Sequence, residues 1–415
     1  MNLNNKLSVL NFLQFFIWGT WLISAGKYFS IIGFSGLQIG AVFSTIGISA
    51  LIMPALIGVL ADRIFNAEKL LGSLHFIGAV FMIAVSQIKD PQWMFFCMLG
   101  YTLAYMPTIS MTNAVSFRLL STSGQDVQKV FPPIRVWGTV GFIVAMWVID
   151  LTGLSSTSFQ FMAASISSVC MGAFCLTLPA CPPSEKNKKS SLKSMLGVDA
   201  LVLFKQERMV VFFLFSMLLG AALQITNVFG STFLMDFKDS YPNSFVVKHD
   251  LVLLSLSQIS ETLFILTIPF FLKRFGIKIV MVLSIAAWVF RFGFFAIGDP
   301  DGGLIFLILS MIVYGMAFDF FNISGSLFVE QETPSSLRAS AQGLFMSVTN
   351  GVGAIVGGLG SGLVIDHFTV NGVKDWPSIW FAFAGYAVVL LVFFPLMFKY
   401  RHSGEEEMDE IKKRM

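Results

Sequence analysis

Charge is what this chain has least of. Only 12 % of its 415 residues are Asp, Glu, Lys or Arg, about half the roughly 25 % found in soluble domains. With 55 % hydrophobic residues, a water-soluble globule of this length could not cover its own surface. The stretch from Tyr28 to Ala61 carries no charged residue, and about 20 apolar residues suffice to cross the hydrocarbon core as a helix. Metal and redox chemistry are poorly provided for. The four cysteines, Cys97, Cys170, Cys175 and Cys181, have no ligand spacing and no partner histidine, so they read as small buried apolar residues. The four histidines, His75, His249, His367 and His402, are scattered. No Gly-x-x-x-x-Gly-Lys-Ser/Thr loop is present for ATP, and no Ser sits in a Gly-x-Ser-x-Gly elbow. No cofactor, no metal and no enzyme activity are expected. A net charge of +3 gives no reason to expect a nucleic-acid partner. The polar start before Lys6 and the long aromatic run after it do not read as a cleavable signal.

What is present is an all-α membrane protein. Apolar runs at 7–31, 37–61, 69–88, 92–117, 132–152, 158–180, 209–234, 251–272, 277–297, 303–329, 339–365 and 378–398 predict twelve transmembrane helices. A polar stretch with Lys186, Lys188, Lys189 and Lys193 divides them. The expected organisation is a six-helix bundle over 1–181, a linker over 182–207, a second six-helix bundle over 208–400 and a solvated tail over 401–415. Lys and Arg placement sets orientation. Twenty of the 27 fall on the side holding both termini, four (Lys89, Lys238, Lys248 and Lys374) on the other, and Lys27, Arg135 and Arg291 inside spans. Both termini and the linker are therefore expected in the cytoplasm, with the chain in the bacterial inner membrane, lipid around it, and a monomer as the default state.

Six plus six helices around a basic linker is the layout of the major facilitator superfamily, in which substrate sits between the halves near mid-membrane. The loop after the second span carries Gly58, Asp62 and Arg63 at the spacing of that superfamily's loop motif, although Ile64-Phe65-Asn66 replaces the usual continuation. These three residues are the expected conformational latch.

Charges within hydrocarbon cost roughly 2.5 to 3.5 kcal/mol on insertion scales, so those in spans are informative. Lys27 and Arg291 lie near outer helix ends and are expected to snorkel to the interface; Asp150 and Asp366 read as interfacial too. Arg135, Glu261 and Asp319 lie deeper. Arg135, Thr139 and Phe142 fall at i, i+4 and i+7, on one helix face. Gln224 and Asn227 are at i, i+3, as are Gln258 and Glu261. Tyr314 and Phe318 are at i, i+4, with Asp319 adjacent and Asn322 one turn on. Single amides of this kind can be helix-packing glue, but four helices with mid-depth polar faces predict one substrate cavity. Amides, carboxylates and aromatic faces suit a neutral solute with a flat polar ring and a sugar; base stacking is worth roughly 1 to 3 kcal/mol. A sugar alone would also suit them, whereas a phosphorylated solute would require more cations than Arg135. Either Glu261 or Asp319, whichever lacks Arg135 as partner, could carry a coupling proton.

The segments Phe131-Pro132-Pro133-Ile134-Arg135-Val136-Trp137-Gly138-Thr139, Leu223-Gln224-Ile225-Thr226-Asn227, Ser257-Gln258-Ile259-Ser260-Glu261-Thr262 and Tyr314-Gly315-Met316-Ala317-Phe318-Asp319-Phe320-Phe321-Asn322 resemble the nucleoside:proton symporters of the major facilitator superfamily. The opening Phe12-Leu13-Gln14-Phe15-Phe16-Ile17-Trp18-Gly19 is similar too. The resemblance covers essentially the whole chain. It implies proton-coupled import of nucleosides by alternating access, with nucleoside held by Arg135, Thr139, Phe142, Gln224, Asn227, Gln258, Glu261, Tyr314 and Phe318. It places the coupling carboxylate on Asp319. The other readings of the residues are a proton-coupled sugar porter of the same fold and a non-transporting solute receptor.

Overall fold

A computed structural model describes residues 1–183, 198–335 and 337–400. Within them the protein is helical apart from one two-stranded hairpin. Helix is the form that pairs every backbone group within its own segment, which a bilayer demands. The helices are α1 Leu3–Gly19, α2 Ala25–Ile31, α3 Gly36–Arg63, α4 Ala67–Gln87, α5 Pro91–Thr122, α6 Val127–Leu151 and α7 Phe159–Cys175. After the linker come α8 Glu207–Asp236, α9 Asp250–Ile265, α10 Ile268–Ile297, α11 Leu304–Ala317, α12 Asp319–Glu332, α13 Arg338–Met346, α14 Gly353–His367 and α15 Trp376–Met397. Among the described residues nine helices, counting α11–α12 and α13–α14 as continuous, are long and apolar enough to cross a membrane. Exposed Trp93, Phe96, Ile166, Leu266, Phe270 and Leu396 give the apolar exterior that lipid contact requires.

Short polar residues start the helices by accepting from orphan backbone N–H groups. Ser35 and Gln38 form a capping box on α3, and Asp90, Asp126 and Asp375 cap α5, α6 and α15. The hairpin, β1 Thr369–Val370 and β2 Val373–Lys374, turns through Asn371 and Gly372, both at positive φ, the chemistry favoured in two-residue hairpin loops.

Several apolar runs are not single helices. The run 7–31 breaks over Thr20–Ser24, between α1 and α2. The break expected before residue 277 is present at Gly276 (φ 75°, ψ 169°), and a further interruption falls earlier, between Ile265 and Ile268. The run 303–329 is interrupted at Phe318, where Ser284 Oγ donates to the freed Ala317 carbonyl at 2.5 Å. Between α13 and α14 the helix widens to a π segment over Ser347–Val352. Apart from the Gly276 kink, which follows Lys273 and Arg274, and the break at Phe318, which precedes Asp319, no charge falls at these breaks, so hydropathy does not mark them.

The linker from 184 to 197, the tail from 401 and the side chain of Asp62 lie outside the described residues. Cys175 and Cys181 are buried as expected, whereas Cys170 is exposed.

Candidate functional site

One cavity of about 700 Å³ lies between the helices that precede the linker and those that follow it. Helical spacing aims Arg135, Thr139 and Phe142 into it from α6, Gln224 and Asn227 from α8, and Gln258 and Glu261 from α9. Tyr314 enters from α11 and Phe318 from the break that follows. All nine residues expected to hold substrate therefore share one wall system. Asp319 does not line it. It is buried in the first turn of α12, next to Phe318, where the helix N-terminus favours negative charge.

Other wall residues were not singled out by sequence pattern. Phe15 and Trp18 of α1 are at i, i+3, as are Ser110 and Asn113 of α5, and Ser347 and Asn350 come from the π segment. Such pairs are common in apolar helices and no charge draws attention to them. Asn322 also reaches the wall.

The electrostatics are sparse and unsaturated. The Arg135 guanidinium carbon lies 4.1 Å from the centroid of Phe15. Arg135 attracts Glu261 across the cavity, and Glu261 and Asp319 repel each other. Among the described residues none of these three stands within ion-pair distance of an opposite charge. Trp18 Nε1, Gln224 Oε1, Asn322 Oδ1 and Asp319 Oδ2 are buried without a hydrogen-bond partner. Each such group costs about 1 to 3 kcal/mol when left unmet.

Two charges expected at the interface are instead buried. Arg291 is 3 % exposed and Lys27 is 3 % exposed. Snorkelling fails because a protein partner is nearer than water. Lys27 Nζ pairs with Asp250 at 2.7 Å and with Ser155 Oγ at 2.9 Å, and Ser231 also donates to Asp250. Asp150 sits at its helix end as expected but is buried, 2.7 Å from His249 Nδ1 and 3.2 Å from Leu251 N. Asp366 accepts from Gly36 N at 2.6 Å and Leu37 N at 2.8 Å, capping α3.

These contacts share a position. Lys27–Asp250, Asp150–His249, Asp366–Gly36 and the pair Lys374–Ser30 (3.2 Å) each join a helix before the linker to an element after it, at the end of the bundle opposite Leu3. There α3 and α14 approach through glycines: a Cβ on Gly40 would lie 2.0 Å from the Gly358 carbonyl oxygen, and one on Gly362 2.3 Å from that of Gly36. Small residues permit this backbone approach. The cavity is closed at that end and continues towards the other along Leu51, Pro54, Gly343 and Met346.

Comparison with known proteins places this arrangement. The model of a family described as nucleoside H+ symporter matches residues 1–403. The chain is 54 % identical over 410 residues to the xanthosine permease of Escherichia coli (strain K12), covering 98 % of both. It is 51 % identical over 406 residues to the nucleoside permease NupG of the same organism, covering 97 % of both. A crystal structure of the nucleoside transporter NupG superposes with a TM-score of 0.92 at 50 % identity, over 97 % of this chain and all of that one.

Proposed function

The chain belongs to the nucleoside H+ symporter family, and from that membership and the cavity we infer that it imports nucleosides across the bacterial inner membrane, driven by protons, through alternating access. The observation that carries the reading is the convergence of Arg135, Gln224, Asn227, Glu261 and Phe318, from helices on both sides of the linker, on one cavity large enough for a nucleoside.

In this reading the chain crosses the membrane twelve times. The nine long helices are joined by α1–α2, by α7 and by α9 with the start of α10. Residues 1–181 and 208–400 are the two six-helix bundles of a major facilitator fold, and the protein works as a monomer. Lys and Arg placement puts both termini in the cytoplasm, so the glycine-lined closed end faces outward and the cavity opens inward. Amides and Glu261 pair with base and ribose, and the rings of Phe142, Tyr314 and Phe318 take the flat faces. Asp319, buried beside the wall with no counter-ion among the described residues, carries the coupling proton. Gly58, Asp62 and Arg63, at the far end of α3 from the glycine contact, act as the latch for the opposite closure.

Counterflow of labelled uridine into proteoliposomes preloaded with unlabelled uridine tests the function. Transient accumulation of label is expected. Saturable binding without counterflow would make the protein a receptor, and counterflow with sugars but not nucleosides would make it a sugar porter.

A further inference from the structure

Arg291 is a buried guanidinium with no carboxylate in ion-pair distance among the described residues. A charge held out of water is costly unless its neighbours compensate it. Its neighbours stand at or behind the cavity wall. The guanidinium carbon stands 4.3 Å from the Tyr314 ring centroid and 5.2 Å from that of Phe295. Nη1 donates to the Ser310 carbonyl at 2.9 Å and to Ser257 Oγ at 3.3 Å, and Ser310 Oγ returns a bond to the Arg291 carbonyl at 3.0 Å. One side chain of α10 thus ties α9 to α11.

The two tied positions adjoin the cavity. Tyr314 lines it, and the ring meets Trp288 edge-on at 6.1 Å. Ser257 directly precedes Gln258, which also lines it. A planar cation over an aromatic face fixes the plane of that ring. A flexible ammonium cannot both cover the ring and reach the carbonyl and the hydroxyl at these distances.

We propose that Arg291 is a positioning residue of the cavity, which never touches substrate but sets nucleoside affinity by holding the Tyr314 ring and the Ser257–Gln258 turn in place. The proposal rests on the nucleoside reading above. It explains why this charge stays in the interior: its bonds align wall residues on two different helices.

The test is equilibrium binding of uridine and adenosine to the purified full chain, with melting temperature recorded without ligand. Variants are Arg291→Lys, Arg291→Met, Tyr314→Leu and the double variant Arg291→Met/Tyr314→Leu. Each single variant is expected to lose about tenfold in affinity, and the double no more than about twofold beyond the worse single, because residues acting through one another are not additive. Arg291→Lys is expected to lose affinity even where its melting temperature matches wild type. If Arg291→Met does not fold, Arg291→Lys with Tyr314→Leu carries the same cycle. Lys and Met variants that melt lower yet bind like wild type overturn the proposal, as do losses that multiply in the double variant. Failure of the wild type to bind either nucleoside would instead remove the functional reading, and this inference with it.

Discussion

Gly40→Val should trap the transporter with its closed end open. In this structure a Cβ at Gly40 lies 2.0 Å from the Gly358 oxygen, whereas ordinary contact begins near 3.4 Å, so α3 and α14 must part by about 1.4 Å. The obstacle is backbone, which no rotamer change relieves. Overpacking of this kind costs about 1 to 3 kcal/mol, and the branched side chain puts Val at the upper end. Parting the helices also stretches the bonds from Gly36 N and Leu37 N to Asp366. The gain in helix propensity from Gly to Val, roughly a few tenths of a kcal/mol, is common to both conformations and cancels. The clash exists in only one of them, so the population ratio shifts about 5- to 150-fold against closure. Spin labels at Ile31 and Val370, exposed on either side of that end, report it by pulsed EPR in a background without native cysteines. A longer distance should dominate in Gly40→Val, with uptake reduced in proportion. Gly360→Ala is the control, since a Cβ there meets nothing within 4 Å. Wild-type distances and uptake in Gly40→Val would show that the α3–α14 contact is not part of the cycle.

The other predictions concern charge and stacking. Lys27→Met leaves Asp250 buried with Ser231 as its remaining partner, and breaking a buried pair costs about 3 to 5 kcal/mol; melting temperature should fall clearly and recover in part in Lys27→Met/Asp250→Leu. Equal melting of the single variant and wild type would show that the pair contributes nothing. Phe318→Ala should lose one to two decades in affinity for uridine and adenosine, since stacking is worth roughly 1 to 3 kcal/mol per base; unchanged isotherms remove the stacking role. Asp319→Asn should still bind nucleoside but no longer concentrate it under an imposed proton gradient, while Glu261→Gln should lose affinity itself. If Asp319→Asn still accumulates uridine when the outside is acidic, Glu261 becomes the coupling site.

Much of this protein was legible in its residues. Scarcity of charge excluded a soluble fold, and the apolar runs anticipated an all-helical chain, of which nine helices among the described residues are long and apolar enough to cross a membrane. Periodicity identified which polar residues share a face, because the angle about a helix axis follows from spacing alone. That is why Arg135, Gln224, Glu261 and Tyr314 could be grouped before their helices were placed, and why all of them line one cavity. Spacing carries no information about what stands opposite a face. Lys27 and Arg291 resembled snorkelling side chains because both lie near helix ends. Tertiary packing instead set Asp250 beside one, and the Tyr314 ring with the Ser310 carbonyl beside the other, so burial won over the interface. Asp319 is the neighbour of Phe318, and successive helical residues point about 100° apart, so one faces the wall and the other lies behind it. The Ser284 hydroxyl donates to the Ala317 carbonyl beside them, a contact between α10 and α11 that packing alone supplies.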